Sequence, residues 1–277
     1  MKKIVLLILS FFAFTLINVL PAQVVGKMEN DTIINYVDIN GKKQGKWTKR
    51  YNNDQVQYTG YFVNDIPKGE FIRYHKNGKI KAKINYDDNG NADAELFNEN
   101  GIRLATGLYD SKQERIGLWH IYFDDGTLAL VINYKNGKVE GPVTMYYPGG
   151  EYKVMEVNYE NGKLEGSYKK YFKGNRPQEE GPCVNGLKHG HWKYYNPEGF
   201  LTEEGPYVNG RKHGDWIYYD LGDVKDTINY MNDIPDNFEE ISRKWEDTLR
   251  WAKENQDKFK RPEDYLDNPH EFFRDNK

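Results

Sequence analysis

Cysteine is all but missing from this chain. Cys183 is the only one in 277 residues, so no intramolecular disulfide can brace the fold. Aliphatic residues are scarce as well. Hydrophobic residues amount to 38%, too few for a thick two-layer domain of this length. Positive charge is not in excess: 39 Lys and Arg face 42 Asp and Glu, a formal net charge of −3. A mildly acidic chain carries no electrostatic footprint for nucleic acid and none for an anionic membrane surface. The glycines are spread along the chain rather than clustered before a helix, which leaves no phosphate-cradling loop. What the sequence has in abundance is rings: aromatics make up 15% and include 22 Tyr. Large amphipathic rings with few aliphatics suit a thin structure with a shallow core.

The first residues form an export signal. Lys2 and Lys3 give a positive start, Ile4 to Leu20 is largely apolar, and Pro21-Ala22 breaks the run beside a small residue. Cleavage is expected after Ala22, so residues 1–22 are read as a signal peptide. The apolar run sits at the short edge of what spans a bilayer, which favours the signal over an uncleaved anchor. Contact with a membrane is expected only through this segment, were it retained. No Cys lies at the cleavage point, which disfavours a lipid-anchored form. Losing Lys2 and Lys3 takes the net charge from −3 to −5. The mature chain is expected in the periplasm, outside the cell or at its surface.

A repeat of about 24 residues organises nearly everything else. An Asn-Gly or Asn-Asp pair recurs at Asn40, Asn64, Asn89, Asn136, Asn161, Asn185, Asn209 and Asn232, with successive gaps of 24, 25, 47, 25, 24, 24 and 23. The gap of 47 is two periods, with the missing mark near Lys112. Five residues after most marks stands Gly (Gly45, Gly69, Gly141, Gly166, Gly190, Gly214), with Gly117 in the unit that lost its mark. Two further on comes a large or apolar residue: Trp47, Phe71, Trp119, Val143, Tyr168, Trp192 and Trp216. Tyr follows three or four positions later, and a second turn such as Asn77-Gly78 or Glu198-Gly199 closes most first segments. Gly and Asn supply the positive φ of tight turns. Two turns per unit bound two strands of about six residues.

The predicted fold is therefore mainly β: an elongated antiparallel β-hairpin solenoid. One hairpin cannot bury its rings alone, and stacked hairpins can. Residues 23–37 form an opening half-repeat and 38–234 eight hairpin units. The third unit is degenerate. Ala94 stands for the Gly, Leu96 for the ring, and Asn100-Gly101 shortens the second segment, which predicts a distorted hairpin. One spacing is awkward. The large residue and the Tyr are three apart, which puts them on opposite faces of a regular strand unless a bulge intervenes.

Beyond Asn232 the period changes to three and four: Phe238, Ile241, Trp245, Leu249, Ala252, Phe259. That is an amphipathic helix. Asp236 lies three residues before Glu239, a capping-box-like start, and Pro262 stops the run. Residues 235–277 are read as a helical cap folded over the last hairpins, because a solenoid end otherwise stays open.

Asn185-Gly-Leu-Lys-His-Gly-His-Trp-Lys-Tyr-Tyr195, Asn209-Gly-Arg-Lys-His-Gly-Asp-Trp-Ile-Tyr-Tyr219 and Asn161 to Tyr171 resemble the bacterial variant of the MORN repeat. The resemblance covers about residues 38–233. It implies hairpin solenoids that mediate protein association, and bacterial relatives of an antitoxin-like kind.

Candidate sites follow from the residues. His189 and His213 share one repeat position in Lys-His-Gly, which is loop chemistry; a metal reading would join His189 with His191. Cys183 replaces a Tyr or Phe and is read as a core residue. Glu179-Glu180, Glu203-Glu204 and Glu239-Glu240 are read as a solvated charged face, with no pair set across a cleft. Catalytic, metal and cofactor residues are therefore predicted to be none. Trp119, Trp192, Tyr195, Trp216 and Tyr219 are the candidates for a binding face, weighed against the reading that they are the core. The expected function is an exported, non-enzymatic scaffold with a protein partner. An immunity protein against a toxin and a glycan-binding module are the alternatives.

Overall fold

The computed structural model describes residues 25–29 and 32–256. The predicted signal peptide, Phe259 and Pro262 lie outside the described residues. The rest is one sheet of 21 antiparallel strands, in which successive strands pair, except that the short Leu187–Lys188 and Arg211–Lys212 each share the preceding strand with the strand that follows them. The chain runs as an unbroken meander from Val25–Glu29 to Ile234–Pro235. The predicted opening strand is Thr32–Val37, and one further strand, Val25–Glu29, pairs with its outer side.

The turn marks work as their chemistry requires. At Asn136, Asn161, Asn185 and Asn209 both the Asn and the following Gly are left-handed, with φ of 51–53° for the Asn and 72–84° for the Gly. Two such residues match the twist of a tight hairpin. Asn40 and Asn89 behave differently. Their Gly is left-handed within a longer loop closed by Asp38 and Asp87, whose carboxylates accept backbone N–H bonds.

The awkward spacing is kept: the large residue and the Tyr three positions on face opposite sides of the sheet, as Trp192 and Tyr195 do, and the slip beside the Tyr leaves its extra residue on the partner strand. In unit after unit the ladder slips just before the repeat tyrosine: between Arg73 and Tyr74, Lys170 and Tyr171, Tyr194 and Tyr195, Tyr218 and Tyr219. A second irregularity surrounds the left-handed Gly five residues past the mark, where Gly117, Gly190 and Gly214 have φ of 62°, 72° and 82°. Two extra residues sit there on the incoming strand.

Those bulges set one face of the sheet as the core. Pairs across the ladder give a single column of side chains: Trp47, Gly60, Phe71, Ile84, Ala94, Gly107, Trp119, Ile132, Val143, Val157, Tyr168, Gly181, Trp192, Gly205, Trp216, Ile228. Phe71 lies over Gly60, Trp119 over Gly107, Trp192 over Gly181 and Trp216 over Gly205. In each case a Cβ on the glycine would fall well inside van der Waals contact with the ring. Glycine here is a platform on which a flat ring can lie. Trp119, Trp192 and Trp216 are 0% exposed as a result.

The third unit corrects the sequence reading. Its hairpin is regular, not distorted. Ala82–Leu96 to Tyr86–Ala92 pair without a slip, because the glycine bulge and its two extra residues are gone. Ala94 consequently takes the ring position in the column rather than the glycine position, and Phe97, not Leu96, follows the next slip as Tyr195 does in its own unit. The second strand, Arg103–Tyr109, keeps seven residues.

Among the described residues a single helix, α1, spans Phe238–Glu254. Asn237 is its N-cap and no side chain caps it, so the capping box is not formed. The helix does not cover the last hairpins among the described residues. None of its residues is buried, and Phe238, Trp245 and Leu249 are 55%, 63% and 64% exposed. No helix among the described residues is long and apolar enough to cross a membrane.

Candidate binding surface

Each buried tryptophan sits in a cage completed by the chain's own cation. The ammonium of Lys212 lies 3.7 Å from the centroid of Trp216 and 5.3 Å from those of Tyr218 and Tyr230. It also bonds Glu203 at 2.8 Å. Lys188 repeats the arrangement over Trp192, Tyr194 and Tyr207, and bonds Glu179 at 2.7 Å. Arg115 does the same over Trp119 and Tyr134. The indole N–H groups of Trp192 and Trp216 donate to the carbonyls of Pro182 and Pro206. The buried polar edge of each ring is thereby satisfied. Burial pushes the Tyr194 hydroxyl far above its ordinary range, helped by its hydrogen bond with Tyr207.

The opposite face carries a ladder of tyrosines and carboxylates. Tyr171 donates to Glu156, Tyr195 to Glu180 and Tyr219 to Glu204. Lys169 pairs with Glu180, while His191 and Lys193 pair with Glu204. The bonds from Tyr219 and His191 hold the Glu204 carboxyl below its usual value. Desolvation pushes Glu180 up, and the bonds from Tyr195 and Lys169 outweigh it, so its carboxyl also lies low. Each repeat Glu-Glu pair therefore splits between the faces. Glu179 and Glu203 hold caged lysines, and Glu180 and Glu204 hold tyrosines. They are structural partners rather than the merely solvated charges expected; only Glu239 and Glu240 remain on an exposed helix face, with Glu240 paired to Lys244.

The candidate aromatics divide accordingly. Trp119, Trp192 and Trp216 are interior, so the reading of them as a binding face is corrected: a fully covered ring has no surface to offer a sugar or peptide. Tyr195 and Tyr219 are half-buried on the other face, with their hydroxyls committed to glutamates. Cys183 is 3% exposed, and burial raises its thiol pKa. His191 is engaged by Glu204. Among the described residues no group of three His, Cys, Asp or Glu comes together to hold a metal.

The feature that sequence reading missed lies in the third unit. Ala94 in the ring position interrupts the column of rings, and a groove of about 700 Å³ lies over the neighbouring Ile84, while Ala94 itself stays buried. Ile84, Tyr86, Leu96, Leu104 and Tyr109 line it, with the buried Ala82 and Ala92 beneath. Arg73 and Lys81 line it too and are exposed. The signal was present in the sequence as Ile84 and Ala94 together, a pair with neither a platform glycine nor a ring. It is legible only once the register is known.

Comparison with known proteins places the repeat. The family model for the MORN repeat variant matches residues 67–88 and 188–209. No curated protein matches the chain. Among solved structures, the chain is similar to the Tc holotoxin pore of Photorhabdus luminescens at 10% identity and a TM-score of 0.24, over 75% of this chain and 13% of that one. It is also similar to a TcdB2–TccC3–Cdc42 structure at 11% identity and a TM-score of 0.23, over 75% of this chain and 13% of that one. The chain thus spans 13% of the length of those two chains.

Proposed function

We propose that this chain is an exported, non-enzymatic scaffold that binds a protein partner along its hairpin array. The observation that carries the reading is the open apolar groove of the third unit, set into a sheet whose tryptophans Trp119, Trp192 and Trp216 are covered by the chain itself. A monomer with a ring-lined core has little reason to leave one ring position empty, and open concave apolar sites mark binding. The implied association role of MORN-type repeats supports a protein partner. The positive start and apolar run ahead of Ala22 support export.

The test is site-directed photo-crosslinking in the envelope of the native host. A photoreactive residue at Leu96 reports the groove, and one at Thr106 reports elsewhere on the sheet. The expected outcome is a discrete protein adduct and a recovered chain that begins at Gln23. No adduct at any position, or a chain retained in the cytoplasm with its first 22 residues intact, overturns the reading.

A further inference from the structure

We propose that the groove of the third unit receives one aromatic side chain from an acidic, extended segment of the partner, seated where the other units place their own ring. The inference deepens the scaffold reading and rests on it.

The repeat itself shows what fits. In four of the other units the column holds a large flat ring lying on a glycine, Phe71, Trp119, Trp192 or Trp216, met edge-on by neighbouring aromatics. Tyr109 packs edge-on to Trp119 at 4.9 Å on one side of the vacancy. Phe71 and Tyr86 pack edge-on at 6.2 Å on the other. A ring inserted between them meets the same edges and faces that the chain offers its own rings. A single aromatic anchor in such a pocket is the usual source of binding energy in a small interface.

Charge selects the segment that carries the ring. From Arg73 to Lys83 the chain has five cations, Arg73, Lys76, Lys79, Lys81 and Lys83, and no acid. This lies in a protein whose net charge is −3. Arg73 and Lys81 line the groove. In the seventh and eighth units the cage cation is bonded to a glutamate of the same chain, Lys188 to Glu179 and Lys212 to Glu203. Arg73 and Lys81 have no such ion pair among the described residues, and Glu99 is the one acid in the groove lining beside them. An acidic flank supplies a complement to those two cations.

The test uses three short capped peptides as probes: Asp-Glu-Trp-Glu-Asp, Lys-Lys-Trp-Lys-Lys and Asp-Glu-Ala-Glu-Asp. Binding to the full mature chain is followed through the methyl signals of Ala82, Ala92 and Ala94. The acidic Trp peptide is expected to shift these signals saturably and at least about tenfold more tightly than either other peptide. Reversing the exposed charges, Arg73→Glu with Lys81→Glu, should remove the preference without disturbing the fold. The double change Ile84→Gly with Ala94→Trp restores the platform-and-ring pair and should abolish binding. Equal binding of acidic and basic peptides overturns the proposal, as does undiminished binding by the correctly folded double variant. So does a dimer that the double variant converts to monomer, because the groove would then hold a second copy. Partner adducts confined to Thr106, with no peptide effect at the groove, would sink this inference and leave the scaffold reading standing.

Discussion

The third and eighth units are built from the same hairpin, yet one is closed and the other open. In the eighth, Trp216 lies flat on Gly205 of the preceding unit, with Lys212 above it. In the third, Ala94 faces Ile84, and the glycine bulge that would bring a ring inward is absent. The difference teaches that side-chain size is set in pairs across unit boundaries, not within a unit. A glycine platform accompanies Phe71, Trp119, Trp192 and Trp216, whereas Ile84 accompanies Ala94, Ile132 accompanies Val143, and Val157 accompanies Tyr168. Total volume at each junction is roughly conserved, as close packing demands. At the third junction no ring reaches across Ile84, and the groove lies over it.

The sharpest way to break this comparison is to remove the ring. Trp216→Ala should destabilise by about 3–5 kcal/mol, the range for deleting a buried aromatic. Ala94→Gly, the matching truncation in the third unit, should cost no more than about 1 kcal/mol. Urea midpoints read both; similar losses would mean that the two junctions are not energetically distinct. Next in size is the platform. Gly205→Val pushes a branched side chain into the Trp216 ring and should cost about 1–3 kcal/mol by overpacking. Ile84→Val should cost about 1 kcal/mol.

Smaller still is the cation. Lys212→Met keeps the stem and removes the charge over Trp216, for an expected loss of about 1 kcal/mol. A variant as stable as the parent would show that the cage is packing alone. The smallest effect is protonic and belongs to the opposite face. Burial, then the bond to Glu180, pushes Tyr195 up to about 12. Its neutral form is the stabilised one. The contribution is thus whole below the ordinary tyrosine range near pH 10 and is lost as pH rises from there to about 12. Absorbance at 295 nm should show a late-titrating group of phenols that loses one member in Tyr195→Phe. An unchanged titration would place the late group elsewhere.

Much of this was legible before any coordinates. The Asn-Gly marks gave the hairpins, because their φ values are dictated by residue type, and the three-and-four spacing gave α1. Register was harder. The third unit keeps an Asn-Gly pair at Asn89, and counting from it puts Ala94 two positions out of place, because the loop there is closed by Asp87 and the bulge has been lost. Burial was harder again. Trp192 and Tyr195 are both aromatic and three apart, which puts them on opposite faces of the strand, and only the sheet shows which face is interior and which pairs with Glu180. The helix illustrates the opposite limit. Its apolar stripe is plain in the sequence, but what covers a stripe is a property of the surroundings, not of the stripe.

The overlap of each ring on the unit before it gives the array a direction. A chain made from its N-terminus leaves every platform bare until the following unit is complete: Gly181 waits for Trp192, and Gly205 for Trp216. Truncation is therefore asymmetric. A cut just before Asn209 exposes a platform shaped for a ring that never arrives, whereas the intact array ends on Ile228, whose bulk needs no lid from a later unit. Vectorial closure of this kind makes the last hairpin a natural stop, and any lengthening of the array must change Ile228 together with whatever is added after it.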